Sequence, residues 1–376
     1  MVGARRGEPD GMKRLRRCLV RLVAALIVIA VLIAIPIVTV ERSCVATPVS
    51  RPQASPVFDI PDANYRRAEG DSFLSYPEWY IVHAYADLAG VTERASESSF
   101  DYLASIRGFW SSLCQATEVA TRTGAIGPDQ KRTNYVIGIS FTAEMGLQGL
   151  YERTIGALTA RAPDQRTAED AFNLRLLKEY AVFLQQTPWY QYPFRAELGR
   201  LWHEVPFQWS ARSVERRMSL SLQYGVKAAY AAVIRYAAGY APADLVIKSV
   251  VGGLDPSDVA AEPRIKPIRD VTATDGTRGS LIETPRYQAL TEIIQGLGVR
   301  HRTIFEIAGN HHILTTVILP PGKTLTLPDA VEIFSIPIQS NPGARRLGFD
   351  TAVQSLAAQP GAVEAQGGRF EHAYDY

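Results

Sequence analysis

The sequence has little of the chemistry that most metal, redox and nucleotide sites require. Its 376 residues include only three cysteines and six histidines. It contains no Cys-x-x-Cys pair, no Gly-rich phosphate loop and no Gly-x-Ser-x-Gly motif. The segment "LWHEV" at 201–205 lacks the second histidine of a zinc protease. The sequence therefore gives no sign of a zinc protease, a dithiol redox protein, a nucleotide-binding protein or a serine hydrolase of these common types. No cofactor is predicted.

The basic residues are not arranged in the continuous patch that nucleic-acid binding needs. The formal net charge is +2, and much of the basic excess lies in the first 21 residues. The body of the chain has no sustained stripe of Lys and Arg. No nucleic-acid partner is therefore predicted.

An uncharged apolar run from Leu22 to Val40 follows this basic segment, residues 1–21. The run is about the length that a helix needs to cross a hydrocarbon core of roughly 30 Å. The alternative is a cleaved signal peptide, but residues 44–46 make a poor small-x-small cleavage site. We predict an uncleaved transmembrane helix at 22–40, whether the chain starts at Met1 or at Met12.

The charges around the run predict its orientation. Basic residues lie before the span and few follow it, which places the N-terminus in the cytoplasm and the chain beyond residue 41 outside. We expect a single-span protein of a bacterial inner membrane, whose partner through residues 22–40 is the lipid bilayer. Residues 41–72 carry four prolines and no helical periodicity, which is typical of a spacer.

Residues 73–242 are predicted to form an all-helical domain, because apolar residues recur at spacings of three and four. The predicted helices are 75–90, 98–116, 133–159, one from near Thr167 to Pro188 and one from Ala211 to Ala241. Pro77 would lie in the first turn of the first helix, where proline is tolerated. Thr167 with Asp170 is typical of a capped helix start. Residues 187–194 would be a rigid aromatic connector.

The segment 133–159 is apolar enough to make a second membrane span an alternative. Glu144 lies in its middle, and Glu152 and Arg153 lie near its end. Because charged side chains are costly in a bilayer, a helix of the folded domain is favoured.

β-branched runs replace the helical pattern after residue 242, so we predict an α+β fold. From 243 to 344 the predicted order is strand, helix, strand, strand, helix, strand, as in a ferredoxin-like (split βαβ) module with extra strands appended. Asp275 and Gly276 predict its hairpin turn. The C-terminal tail, 345–376, is predicted to hold one helix and a terminal strand.

Four segments of the chain resemble a family of uncharacterised bacterial membrane-anchored proteins. They are "YPEWYIVHAYADLAG", "GFWSSLC", "QTPWYQYPF" and "EIAGN". The resemblance covers most of the chain after the anchor. It implies no activity, cofactor or catalytic residue, and so it leaves the function open.

The candidates for a functional site lie in the helical domain. Glu78 and His83 share an early helix, and Glu144 lies in a mostly apolar one. A buried carboxyl with a raised pKa beside a histidine would be an acid–base pair, and the alternative is an ion pair with a neighbouring helix. Aromatic side chains would line a hydrophobic pocket or belong to the core: Trp79, Trp110, Trp189, Tyr190 and Trp202.

His311 and His312 are adjacent in the segment "EIAGNHHILTTVILP". If Gly309 and Asn310 form the turn of a hairpin, the two rings point to opposite faces of its second strand. They then cannot bind one metal ion, and no metal site is predicted.

Cys44 and Cys114 lie on the exported side of this topology, and Cys18 lies at the cytoplasmic end of the span. Because exported thiols are oxidised, we predict a disulfide bond between Cys44 and Cys114. The alternative is a buried free Cys114 and an unpaired Cys44.

The function that fits these features is binding or scaffolding at the membrane surface, with a protein or a lipophilic molecule as partner. The alternative is an enzyme or a carrier of lipophilic ligands. It would use a pocket near Glu78, His83 and Glu144.

Overall fold

The computed structural model describes residues 34–49, 56–123, 128–161, 163–237 and 245–376, together with 19–21, 24 and 31. Most of the predicted span at 22–40 and most of the basic segment 1–21 lie outside the described residues. Within the described residues, no helix has the length and hydropathy that a membrane span requires. Residues 34–43 are helical and lead into the folded body.

The first part of the folded body is helical, as predicted. Its helices are α1 (Glu69–Arg94), α2 (Tyr102–Thr123), α3 (Pro128–Tyr151), α4 (Ala168–Phe183), α5 (Phe194–His203) and α6 (Ala211–Ala237). A π-helical turn Glu152–Gly156 and an α-helical turn Ala157–Thr159 continue α3. The Thr167 cap is confirmed, because its hydroxyl accepts a hydrogen bond from the Asp170 amide at 3.2 Å.

Two details of the helical domain differ from the sequence prediction. Pro77 lies inside α1 and not in its first turn, because the helix begins at Glu69. Helix α5 was missed, because the prolines and aromatic residues before it predict only a connector. Helix α6 follows its predicted course from Ala211, and the predicted end at Ala241 lies outside the described residues.

The second part of the body contains two antiparallel sheets, so the α+β class is confirmed. The strands are β1 (Val246–Gly252), β2 (Lys266–Thr272), β3 (Arg278–Pro285), β4 (Thr303–Ile307), β5 (His312–Leu319), β6 (Ala330–Pro337), β7 (Arg345–Ala352) and β8 (Arg369–Tyr374). The helices among them are α7 (Pro256–Ala261), α8 (Gln288–Val299), α9 (Val353–Leu356) and α10 (Gln359–Ala365).

The first sheet has the strand order β2-β3-β1-β4. Gly276, with φ of +87°, lies in the predicted turn between β2 and β3. The expectation that the later strands extend this sheet is wrong. They form a second sheet of order β6-β7-β5-β8. Its strand β8 is the terminal strand predicted in the segment 345–376, whereas β7, which begins the same segment, is not among the predicted strands.

The predicted hairpin around Gly309 and Asn310 is also wrong, because β4 and β5 belong to different sheets. Only Ile307 and Asn310 form an isolated bridge. The Asn310 side chain instead donates a hydrogen bond to the Arg67 carbonyl at 2.9 Å. This turn therefore passes the chain from one sheet to the other and holds the residues before α1.

Helix α1 lies between the other helices and the second sheet and is buried around most of its circumference. The Ser72 hydroxyl donates a hydrogen bond to the Tyr374 carbonyl at 2.7 Å and accepts one from the Leu314 amide at 2.9 Å. Leu314, Phe334 and Tyr374 of the second sheet belong to the same apolar core as the helices. The two parts of the chain thus share one core through α1.

Parts of the predicted spacer, 41–72, pack on the body. Cys44 and Cys114 form a disulfide bond, the pairing that the sequence favours, with a Cα–Cα distance of 5.1 Å. Phe58 and Tyr65 are buried, and the Tyr65 hydroxyl donates a hydrogen bond to Glu306.

Candidate functional site

A pocket of about 420 Å³ lies between α1, α3, α4 and α6. Its size is within the range of small-molecule sites, and most of its wall is apolar or aromatic. Five of the residues that sequence analysis selected line this pocket: Glu78, Trp79, Glu144, Trp189 and Tyr190. His83, Trp110 and Trp202 do not.

His83 lies on another face of α1 from Glu78, because five residues correspond to about 140° around a helix. Its Nε2 lies 3.1 Å from the Tyr374 hydroxyl, and its Nδ1 lies 3.8 Å from Glu371. Burial lowers the pKa of His83 to about 3, so the ring is neutral near pH 7. The acid–base pair considered for His83 and a pocket glutamate is therefore not formed.

Glu144 is held by two side chains from neighbouring helices. It accepts a hydrogen bond from the Tyr85 hydroxyl at 2.6 Å and forms an ion pair with Lys227 at 2.7 Å. The Lys227 ammonium also donates to the Tyr85 hydroxyl at 3.0 Å. The charge of Glu144 is thus balanced within the pocket wall, by an ion pair with a neighbouring helix.

Glu78 is the second carboxylate of this pocket, and among the described residues it has no ion-pair partner like that of Glu144. Its side chain is exposed where it lines the pocket, and no described residue forms a hydrogen bond or ion pair with it. The surrounding protein nevertheless removes much of its solvent, which raises the pKa of the Glu78 carboxyl, while Arg286 opposes this change. Water reaches this carboxylate through the pocket, and protein surrounds it on its other sides.

Aromatic side chains form part of the pocket wall. The Trp189 and Tyr230 rings are 5.1 Å apart between centroids, and Tyr190 meets Trp189 edge-on at 6.2 Å. Trp79 is buried, and its ring packs against His372 at 3.7 Å.

Two other tryptophans, Trp110 and Trp202, have other roles. Trp110 donates a hydrogen bond to Thr142 at 2.9 Å, which fixes α2 against α3. Trp202 donates to Ser221 at 2.9 Å and is half exposed. Both contacts join helices outside the pocket.

A buried ionic cluster joins α3, α4 and α6 at one end of the helical domain. Arg216 pairs with Glu97 and with Glu152, the latter at 2.8 Å, and its Nε lies 3.4 Å from Asp170. Burial and the nearby Glu97 raise the pKa of Glu152 to about 7. Because removing either partner would leave a charge in the interior, this cluster is a structural one.

His311 and His312 approach different carboxylates. The Nε2 atom of His311 lies 3.8 Å from Glu306, and Nδ1 of His312 lies 2.9 Å from Asp350. Across the described ranges, no group of three His, Cys, Asp or Glu side chains is arranged to bind a metal.

Two rows of exposed apolar side chains run along α3 and α6. On α3 and the helical turns that continue it they are Val136, Leu147, Leu150 and Leu158, and on α6 they are Met218, Leu222, Val226, Val233 and Tyr236. Leu147 and Leu222 are each 71% exposed. Between residues 133 and 151 and between 218 and 234, the charged residues are Glu144 and Lys227, which pair with each other. We call this surface the α3/α6 face.

No family model matches the chain, and no curated protein and no solved structure shows detectable similarity to it. The resemblance to membrane-anchored bacterial proteins stays a prediction. The pocket and the α3/α6 face are the features of the molecule that bear on its function.

Proposed function

We propose that the protein binds a lipophilic ligand in the pocket between α1, α3, α4 and α6. The observation that carries this proposal is the pocket of about 420 Å³ with a largely apolar wall and few polar groups. Such a wall favours an apolar body, and the few polar groups orient it.

The test is whether a ligand accompanies the full chain. We expect native mass spectrometry of the protein in nanodiscs to show a bound apolar molecule. Ile137→Trp places an indole on a residue that lines the pocket and should abolish that signal. Ile139→Trp, on the same helix but outside the lining, should retain it. The absence of binding in the wild type, including binding of an added apolar fluorophore, would refute the proposal.

We also propose that residues 22–40 anchor the protein in a membrane with the folded body outside the cytoplasm. The disulfide bond supports an oxidising compartment. Glu41, just after the predicted span, pairs with Lys131 and accepts a hydrogen bond from Tyr135, both at 2.7 Å. Alkaline phosphatase fused after residue 60 should be active, and activity of a cytoplasmic reporter at that position would reverse the orientation.

A second candidate function is binding at the surface of the bilayer through the α3/α6 face. It is supported by the exposed apolar rows, which lack an unpaired charge between residues 133 and 151 and between 218 and 234. Glu41 attaches the chain just after the predicted span to the first turns of α3, near one end of this face.

Fluorescence quenching tests this second candidate on the full chain. A fluorophore on Leu222→Cys should be quenched by spin-labelled lipids, and one on Arg269→Cys, an exposed residue of β2, should not. Equal quenching at both sites would contradict bilayer contact. Disulfide cross-linking of Leu222→Cys between two chains would instead assign the face to a second copy.

We further infer that the first sheet is the ferredoxin-like module predicted for 243–344. The chain order β1-α7-β2-β3-α8-β4 and the sheet order β2-β3-β1-β4 support this assignment. The module would then end at Ile307. Of the described pocket lining, this module contributes Tyr287 alone. Its role would therefore be mainly to support the helical domain.

A further inference from the structure

We propose that the ligand of this pocket is a cationic amphiphile, whose positively charged head pairs with the Glu78 carboxylate while its apolar tail fills the pocket. This inference rests on the proposed binding of lipophilic ligands and adds the charge class of the ligand. It follows from how the charges of the pocket wall are balanced.

Three side chains of the described lining carry a formal charge: Glu78, Glu144 and Lys227. Lys227 and Glu144 balance each other through the contact of 2.7 Å that Tyr85 reinforces. One negative charge, that of Glu78, is left without a counterion in the wall.

Arg286, the protein cation that lowers the pKa of Glu78, is already engaged. Its guanidinium donates two hydrogen bonds to the Asp375 carboxylate, at 2.9 and 3.1 Å, and a third to the Tyr376 carbonyl at 2.7 Å. It acts on Glu78 only through space. The protein removes part of the solvent around Glu78, so a cation brought by a ligand would stabilise its charge more than it would in bulk water.

The aromatic wall suits the same kind of head group. Trp189, Tyr190, Tyr230 and Tyr287 all line the pocket. The faces of such rings attract ammonium groups, and the attraction grows when water is excluded. An anionic head would face both the Glu78 charge and these rings.

The apolar tail has a defined course along α1. Glu78 and Tyr85 are seven residues apart, which is about 10 Å along a helix. Ile81 and Val82 lie between them on the pocket side, with Phe141 opposite on α3. A tail that starts at Glu78 would therefore lie on apolar side chains until it reaches the balanced group of Glu144, Lys227 and Tyr85.

The experiment compares three molecules with the same tail and different heads. Dodecylamine, dodecanol and dodecanoate are titrated against the full chain in nanodiscs of zwitterionic lipid, by displacement of a bound apolar fluorophore, with empty nanodiscs as the reference for partition. We expect dodecylamine to bind at least about tenfold more tightly than dodecanol, which corresponds to about 1.4 kcal/mol. Dodecanoate should bind most weakly.

Variants then assign the preference to one side chain. Glu78→Gln keeps the size of the side chain and should remove the advantage of dodecylamine over dodecanol. Glu283→Gln, on β3 and outside the pocket, should behave as the wild type. Should Glu78→Gln fold poorly, the comparison of the three molecules on the wild type still decides.

The outcomes separate the two proposals. Equal affinity for dodecylamine and dodecanol in the wild type would overturn the cationic head and leave the lipophilic pocket standing. The same holds if Glu78→Gln keeps the amine preference. Failure of all three molecules to bind would overturn the proposed function itself.

Discussion

His83 Nε2 lies 3.1 Å from the hydroxyl oxygen of Tyr374, a residue 291 positions later in the chain. The same hydroxyl lies 3.0 Å from Thr316 Oγ1. Next to them, Glu371 forms an ion pair with Arg346. This buried polar group joins the first helix of the body to three strands of the second sheet, so it ties α1 to the sheet on the side away from the pocket.

The burial of His83 predicts a loss of stability in acid. Its ordinary pKa of 6.5 falls to about 3 because burial disfavours the charged ring. Between these values the unfolded chain binds a proton that the folded chain does not. The contribution of His83 to the free energy of unfolding should therefore decrease as the pH falls below about 6.5, by up to about 1.4 kcal/mol per pH unit. The raised pKa of Glu152 contributes in the opposite direction, so the effect of His83 is measured as the difference between its variant and the wild type.

Urea midpoints measured from pH 7 to pH 5 check this slope. His83→Gln should reduce it, although His372, whose pKa burial also lowers, will keep part of it. A slope in His83→Gln equal to that of the wild type would contradict the assignment.

Arg216→Met should be strongly destabilising. The change leaves Glu97 and Glu152 buried without their cation, which typically costs about 3–5 kcal/mol. The control is Arg132→Met, because Arg132 is exposed and its contact with Asp129 spans 3.6 Å. The control should change the free energy of unfolding by less than about 0.5 kcal/mol, and similar losses in both variants would speak against the role of the buried cluster.

Two glycines of α3 should respond oppositely to alanine. An added Cβ at Gly146 meets nothing within 4 Å, whereas one at Gly149 would lie 2.6 Å from the Tyr102 Cβ. Gly146→Ala should raise the free energy of unfolding by about 1 kcal/mol, and Gly149→Ala should lower it by about 1–3 kcal/mol. Thermal denaturation of both variants measures these changes. A stabilised Gly149→Ala would show that the contact with α2 can relax.

The disulfide bond should resist alkylation in denatured protein. Without reductant only Cys18 should react, and with reductant Cys44 and Cys114 should react as well. Because the bond joins residues 70 positions apart, Cys114→Ser should lower the free energy of unfolding by about 4 kcal/mol. Cys18→Ser should have no effect, and full labelling of Cys44 without reductant would disprove the bond.

The parts of the fold that the sequence predicted depend on local signals. The Thr167 cap and the Gly276 turn each need only a few neighbouring residues, and both lie where expected. The division into two sheets was missed because alternation within a strand does not say which strand it pairs with. Gly309 and Asn310 have the sequence pattern of a hairpin turn. The Asn310 side-chain amide instead donates a hydrogen bond to the Arg67 carbonyl, more than two hundred residues earlier.

The candidate site was predicted in part for a similar reason. Glu78 and Glu144 stand out as charges among apolar residues, and both line the pocket. Their surroundings could not be predicted, because Lys227 and Tyr85 meet Glu144 only in three dimensions. His83 was grouped with Glu78 by nearness in sequence, although the turn of the helix separates the two side chains.

The contact between Ser72 and the Tyr374 carbonyl bears on how the chain is made. Because α1 is among the first elements of the body to leave the ribosome and β8 among the last, α1 must wait with part of its apolar surface uncovered until about three hundred further residues have been added. Contacts so distant in sequence slow folding and prolong the period in which aggregation competes. Shortening the chain before β8 should therefore damage the helical half of the protein, and an expression strategy that supplies chaperones should raise the yield of folded protein.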